Sequence, residues 1–258
     1  MNPTGKFIWY ELLSPNLAAS EAFYSSVVGW TLKDSGMTDR RYMILHAGEI
    51  PVGGLMQMPE EAQATGMPTL WMAYINVDDV EAAIAKATGG GGKVHRPAED
   101  IPGVGRFAVL ADPHGAGFMV MKPIPPEGGP PPQPAPGTPG TVGWRELSAG
   151  DGAEAFTFYQ GMFGWKHRRD FDMGPMGAYR IFTTGEDDDG GIMTKMPNIP
   201  APFWLYYFNV EGIDAAAERV KSAGGQVLNG PMQVPTGAWI IQAADPQGAM
   251  IGLLSQTK

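Results

Sequence analysis

The chain says the same thing twice. "WYELLSPNLAASEAFYSSVVGW", residues 9–30, aligns without gaps to "WRELSAGDGAEAFTFYQGMFGW", residues 144–165, with Trp, Glu, Leu, Phe-Tyr and Gly-Trp at a constant offset. Further on, "VGGLMQMP" matches "DGGIMTKMP", "LWMAYINV" matches "FWLYYFNV", and "GRFAVLADPHG" matches "GAWIIQAADPQG". Matches in one order across both halves mark a duplication and restrict the fold to one built from two equivalent parts. Between them lies "PIPPEGGPPPQPAPGTPG", residues 123–140, half of it proline. Such a segment joins neither helix nor ladder and acts as an extended, semi-rigid linker. The expected division is residues 1–123, a linker at 124–139, and residues 140–258, with each half burying a core of its own.

Each half reads as two similar units. Residues 7–13 form a strand, and Asn16, or Asp151 in the copy, is placed to cap a helix. Ala155, Phe158, Tyr159 and Met162 recur at helical spacing. Gly29 and Gly164 stand where a left-handed residue ends a helix. Strands are expected at 42–46 and 53–58. The second unit opens with a strand at 71–77. Its helix buries Val80, Ala83, Ile84 and Ala87, copied as Ile213, Ala216, Ala217 and Val220, and stops at Gly89 and Gly224. Three strands follow, the last two joined by Asp-Pro-x-Gly turns at 112–115 and 245–248, where proline sets φ and glycine takes the strained position. The order is β-α-β-β-β four times. This is an α+β chain of tandem paired βαβββ units, in two homologous domains with concave mixed sheets.

With these units, the "FY…GW" helix end and the Asp-Pro-x-Gly turn, the chain resembles the vicinal oxygen chelate superfamily. That group includes glyoxalase I, bleomycin-resistance proteins, fosfomycin-resistance enzymes and extradiol dioxygenases. The resemblance spans nearly everything but the linker and is closest to two-domain glyoxalase-like proteins. It implies that paired units curl into a cup, with strands of both supplying His, Gln or Glu to one divalent metal. The implied ligand positions fall on Trp9 and Trp144, near Met72 and Leu205, within 53–56 and 190–193, and on Met119 and Gly252. Trp, Met, Leu and Gly do not bind hard or borderline divalent ions. The expectation is therefore a family member with no metal and no cofactor.

Glu11 and Glu146 each share a strand face with the Trp two residues before. Desolvated in a cup, either would be a candidate general base; the plainer reading is a carboxylate bound to backbone or an Arg at the sheet edge. Trp9, Trp71, Met119, Trp144, Trp204, Tyr206 and Trp239 are candidate walls for an apolar or planar ligand, with core packing as the plainer reading. Arg106 suits an anionic ligand group. Its counterpart is Trp239, so the cups differ chemically. His46, His95, His114 and His167 do not repeat and sit off the ligand positions, as ordinary histidines do. Residues 186–189, "EDDD", lack the alternation of a calcium loop and read as a solvated hairpin tip. "GGGG" at 89–92 lacks the Lys and Ser/Thr of a phosphate loop and reads as a helix stop.

A net charge of −9 over 258 residues and a pI near 4.9 oppose binding to nucleic acid or an anionic membrane. The absence of cysteine excludes disulfides, thiolate metal sites and cysteine nucleophiles. No run is long enough to span a bilayer and the N-terminus lacks signal-peptide features. A cytoplasmic monomer or homodimer is expected. The function these features favour is binding of a small, partly apolar molecule in cup-shaped pockets without the family's usual metal. The alternative is a lyase, isomerase or dioxygenase with a relocated metal or a Glu general base.

Overall fold

Asn16 accepts a hydrogen bond from Ala19 N, and Asp151 accepts from Ala153 N and Glu154 N, so both first helices begin at their capping side chains. Gly29 and Gly164 take the left-handed conformation that ends them, with φ of 85° and 72°. The structure is a computed structural model that describes residues 4–38, 40–125, 128–129 and 134–258. Residues 126–127 and 130–133 of the expected linker lie outside the described residues.

The first half runs β1 (Phe7–Ser14), α1 (Leu17–Val27), β2 (Thr31–Asp34), β3 (Tyr42–Ala47), β4 (Ile50–Gln57), α2 (Glu60–Ala64), β5 (Leu70–Asn76), α3 (Val80–Gly89), β6 (Lys93–Ile101), β7 (Gly105–Ala111) and β8 (Gly117–Pro123). The second half runs β9 (Val142–Ala149), α4 (Gly152–Phe163), β10 (Lys166–Asp172), β11 (Ala178–Thr183), β12 (Gly190–Thr194), β13 (Phe203–Asn209), α5 (Ile213–Ser222), β14 (Gln226–Gln233), β15 (Trp239–Ala244) and β16 (Met250–Ser255). Four βαβββ modules result, and α2 is a single exposed turn added between the first two. The left-handed residue after α3 is Gly91, not Gly89, because the helix runs on through Gly89.

The strands form two eight-stranded mixed sheets, in the orders β2-β3-β4-β1-β5-β8-β7-β6 and β10-β11-β12-β9-β13-β16-β15-β14. Within a module the first strand runs parallel to the last, because the helix carries the chain back, and the remaining pairs are antiparallel hairpins. The helix of each module covers one face of its own strands. The stripes face that way: Ala155, Phe158, Tyr159 and Met162 of α4 are buried, as are Ile213, Ala216, Ala217 and Val220 of α5.

The compact units are divided differently from the sequence repeats. One unit joins β5–β8 and α3 with β9–β12 and α4; the other joins β1–β4 and α1 with β13–β16 and α5. The boundaries fall within the first three residues of β1, β5, β9 and β13. Each core therefore draws on both sides of the linker.

In the second of these units Trp71 Nε1 donates to Tyr24 Oη at 2.9 Å, and Tyr24 donates to Asp245 Oδ2 at 3.0 Å. Trp30 and Phe208 pack around this chain, with ring centroids 4.9 Å apart. The other unit repeats it: Trp204 Nε1 donates to Tyr159 Oη at 3.1 Å, and Tyr159 reaches Asp112 Oδ2 at 3.5 Å. There Trp165 stacks on Phe182 at 4.4 Å and on Tyr159 at 5.1 Å. The aspartates are those of the Asp-Pro-x-Gly turns. Each also closes its own turn, accepting from the backbone of His114 and Ala116, or of Gln247 and Ala249. Burial pushes both carboxyls up, against the lowering effect of these bonds. Burial first, and then the charge of Asp245, push the Tyr24 phenol well above its ordinary value, so it remains a donor.

Candidate functional site

Strand parity decides which side chains can meet a ligand. One face of each module is sealed by its helix, which leaves the opposite face. On β1 that face carries Trp9 and Glu11. Trp9 is half-buried and donates through Nε1 to Tyr42 Oη at 2.7 Å. Glu11 is buried and lies in register with Gly54 on β4. A Cβ on Gly54 would stand 2.0 Å from the Tyr42 hydroxyl, so glycine is what lets the phenol ring lie flat across the strand. The second half rebuilds the group. Tyr179 Oη donates to Glu146 Oε2 at 2.9 Å. Gly191, in register with Glu146, lies under the Tyr179 ring, 2.1 Å from where its Cβ would be. Trp144 precedes Glu146 by one strand repeat, as Trp9 precedes Glu11. Each first module thus presents an indole, a carboxylate and a phenol laid over a glycine.

The second modules differ from each other. On β5 and β8, Tyr74 is in register with Met119, which is buried. Phe107 lies 6.0 Å from Tyr74, and the Arg96 guanidinium, paired with Glu99, sits 5.1 Å above the Phe107 ring. In the copy Gly252 replaces Met119, and the Tyr207 ring lies over it, 2.3 Å from where its Cβ would be. Gln242 Nε2 donates to Tyr207 Oη at 2.7 Å, and Asn229 Nδ2 to Gln242 Oε1 at 3.3 Å. One face carries a stacked cation and thioethers, the other a neutral amide-to-phenol chain.

Five of the candidate ligand residues, four of the walls and Arg106, lie on the helix-covered face. Trp71 and Trp204 are core residues whose indole nitrogens are used by Tyr24 and Tyr159. Tyr206 is 1% exposed and packs edge-on against Tyr10. Arg106 reaches Glu81 on α3 and Asp100, not the ligand face. Trp239 shares the parity of the buried Ile241 and Ala243 and lies under Lys258 Nζ at 5.1 Å. Both faces of these strands are apolar, so no polar alternation in the sequence sets their phase. Trp9, Glu11, Met119, Trp144 and Glu146 remain on the opposite face. Tyr42 and Tyr179, missed in the sequence, were signalled by a tyrosine and a double glycine at the same spacing in both halves.

None of the histidines belongs to these groups. His46 is buried beside Ile44 O, His95 is exposed, and His114 and His167 pair with Glu154 and Asp170. Asp188 and Asp189 of the acidic run are held by Arg168, Arg169 and Thr184 rather than simply solvated. Among the described residues no three His, Cys, Asp or Glu come together to hold a metal ion. The donors at the implied ligand positions do not fit a divalent cation.

The family model for the Glyoxalase/Bleomycin resistance protein/Dioxygenase superfamily matches residues 6–120 and 141–253. The chain belongs to that superfamily. CFP32 of Mycobacterium bovis, whose name assigns it provisionally to the glyoxylases, is 32% identical over 249 residues, covering 95% of this chain and 93% of its own. The anthracycline biosynthesis protein DauV of Streptomyces sp. (strain C5) is 31% identical over 260 residues, 93% of this chain and 90% of its own. Among solved structures, the Mn(II)-bound glyoxalase of Novosphingobium aromaticivorans shares the fold, with TM-score 0.66 and 17% identity over 100% of this chain and 84% of that one. Among the described residues no helix is long and apolar enough to cross a membrane.

Proposed function

We propose that the protein binds a small, partly apolar molecule with a flat body, on the sheet faces away from the helices and without the family's divalent metal. The observation that carries this is the repeated group of indole, carboxylate and phenol over glycine, Trp9/Glu11/Tyr42/Gly54 and Trp144/Glu146/Tyr179/Gly191. Indole and phenol offer flat apolar surface with a polar tip, and the carboxylate orients a donor on the ligand. A relative named for anthracycline biosynthesis agrees with a fused aromatic body. The test is titration of a hydroxyanthraquinone, read by quenching of tryptophan fluorescence. Trp9→Ala and Trp144→Ala should each remove one site or weaken it about tenfold, equivalent to about 1.4 kcal/mol. A stoichiometric metal in protein purified without chelator, whose removal abolishes binding, would overturn the metal-free reading.

A second reading, a lyase or isomerase with Glu11 or Glu146 as base, is supported by the 2.9 Å contact of Tyr179 with Glu146. It sets a proton donor and a proton acceptor side by side, as removal and return of a proton on carbon require. Loss of turnover in Glu146→Gln with ligand affinity retained would favour it.

A further inference from the structure

The two compact units are assembled from equivalent modules through equivalent contacts. Tyr24–Asp245 answers Tyr159–Asp112. Arg219 donates to Val27 O as Lys86 donates to Met162 O, at 3.2 Å in both. One contact is made with different chemistry: the place where the Asp-Pro-x-Gly turn of one half meets the start of the first helix of the other. In the unit holding α1 and α5 it is an amide. Gln247 Oε1 accepts from Ser14 Oγ at 2.8 Å and from Asn16 N at 2.9 Å. Its Nε2 donates to Ser20 Oγ at 2.6 Å and to Asn16 O at 3.2 Å. Every donor and acceptor of the amide is used. Ser20 also donates to Ser14, closing a ring of hydroxyls in which both serines are fully buried.

The other unit has His114 at the position of Gln247. Its Nε2 meets Glu154 Oε2 at 3.1 Å. Ala149 and Ala155 stand where Ser14 and Ser20 stood, and Gly150 replaces Pro15. The turn sits close: a Cβ on Gly150 would be 2.6 Å from both Cβ and Cγ of His114. Pro15, in the unit holding α1 and α5, carries such a Cβ, and there the longer Gln247 side chain spans the gap to the serines.

We infer that this turn-to-helix contact, Gln247 with Ser14, Asn16 and Ser20 and His114 with Gly150 and Glu154, is a recognition key by which the two halves pair with each other and not with copies of themselves. A first half paired with a first half would bring His114 against Pro15, with no glycine to admit it. It would also leave Ser14 and Ser20 buried without the amide. A second half paired with a second half would set Gln247 against Ala149 and Ala155, which offer no hydroxyl, and strip Glu154 of its imidazole. Each wrong pairing combines a lost partner with a steric or desolvation penalty, which is how specificity is obtained when the right and wrong surfaces are otherwise alike. The partner such a surface accepts is the opposite half, whether from the same chain or from a second copy.

A protease site placed in the linker of the full chain, cut after folding, gives two half-chains whose pairing is free to choose. After unfolding and refolding, native mass spectrometry should find mixed pairs in at least about tenfold excess over either self-pair, a factor worth about 1.4 kcal/mol. His114→Gln gives the first half the amide that its own Ser14 and Ser20 accept, and should raise first-half self-pairs. Gln247→His gives the second half the imidazole that its own Gly150 and Glu154 accept, and should raise second-half self-pairs instead. Co-expression of differently tagged halves reads the same proportions without a refolding step. A statistical mixture for the parent, or proportions that neither substitution moves, overturns the inference.

Discussion

Replacing Tyr24 by Phe removes one oxygen from the middle of a buried chain and leaves both its neighbours in place. The hydroxyl accepts from Trp71 Nε1 at 2.9 Å and donates to Asp245 Oδ2 at 3.0 Å. Without it the indole N–H has lost its acceptor in a residue that is 5% exposed, which costs about 1–3 kcal/mol, and a bond to a charged group worth about 1.5–3 kcal/mol is gone. Asp245 keeps its backbone donors, Gln247 N and Ala249 N, so the two costs do not sum fully. A loss of about 3 kcal/mol is expected. Tyr159→Phe is the internal control. Its contact with Asp112 is 3.5 Å, at the limit of a hydrogen bond, and its contact with Trp204 is 3.1 Å. It should cost about 1–2 kcal/mol, most of it from the indole. Urea unfolding of the two variants and the parent, with m held constant, gives the comparison. Equal losses, or a larger loss for Tyr159→Phe, would refute the reading of the two chains as a strong and a weak copy.

Three further outcomes are expected. Asp112 and Asp245 are pushed up by burial; a raised folded pKa means the native state holds protons that the unfolded chain has released. Their contribution to stability is therefore greatest below about pH 4 and is lost as pH rises through the folded values, so Asp112→Asn with Asp245→Asn should flatten urea midpoints measured across the acid range. Protein cut in its linker should elute from a sizing column as one species, since each compact unit takes strands from both halves; elution as two separate folded halves would contradict this. Gly191→Ala should displace Tyr179 and weaken hydroxyanthraquinone binding about tenfold, whereas Arg106→Ala, which breaks contacts to Glu81 and Asp100, should leave affinity unchanged by fluorescence titration.

The four modules were legible because helix periodicity and caps are local signals. Asn16, Asp151, Gly29 and Gly164 act within a turn or two of themselves, and the stripe of α5 is unambiguous between polar neighbours. The phase of the central strands was harder. "LWMAYIN" and "GRFAVLA" are apolar on both faces, so nothing local says whether Trp71 or Met72 faces the helix. A clue was nonetheless present: the resemblance put a ligand position at Met72, and alternation then turns Trp71 to the other face. The same step from Leu205 places Trp204 and Tyr206. The pairing of modules across the linker was out of reach, because Gln247 and His114 reveal what they recognise only when Ser14 and Gly150 are beside them.

That arrangement bears on how the chain acquires its structure during synthesis. Ser14 and Gln247, which hydrogen-bond directly, are 233 residues apart in sequence, so the strands that open the chain can complete their core only after almost all of it has been made. At about 5–20 residues per second the first module waits on the order of tens of seconds, its helix stripe exposed. Contacts of such separation also slow the final closure, since the entropy of bringing distant segments together is lost before packing offsets it. The module in the middle of the chain fares differently. β5–β8 and β9–β12 are adjacent in sequence, so the unit built from them has all its strands available before the last module has been made.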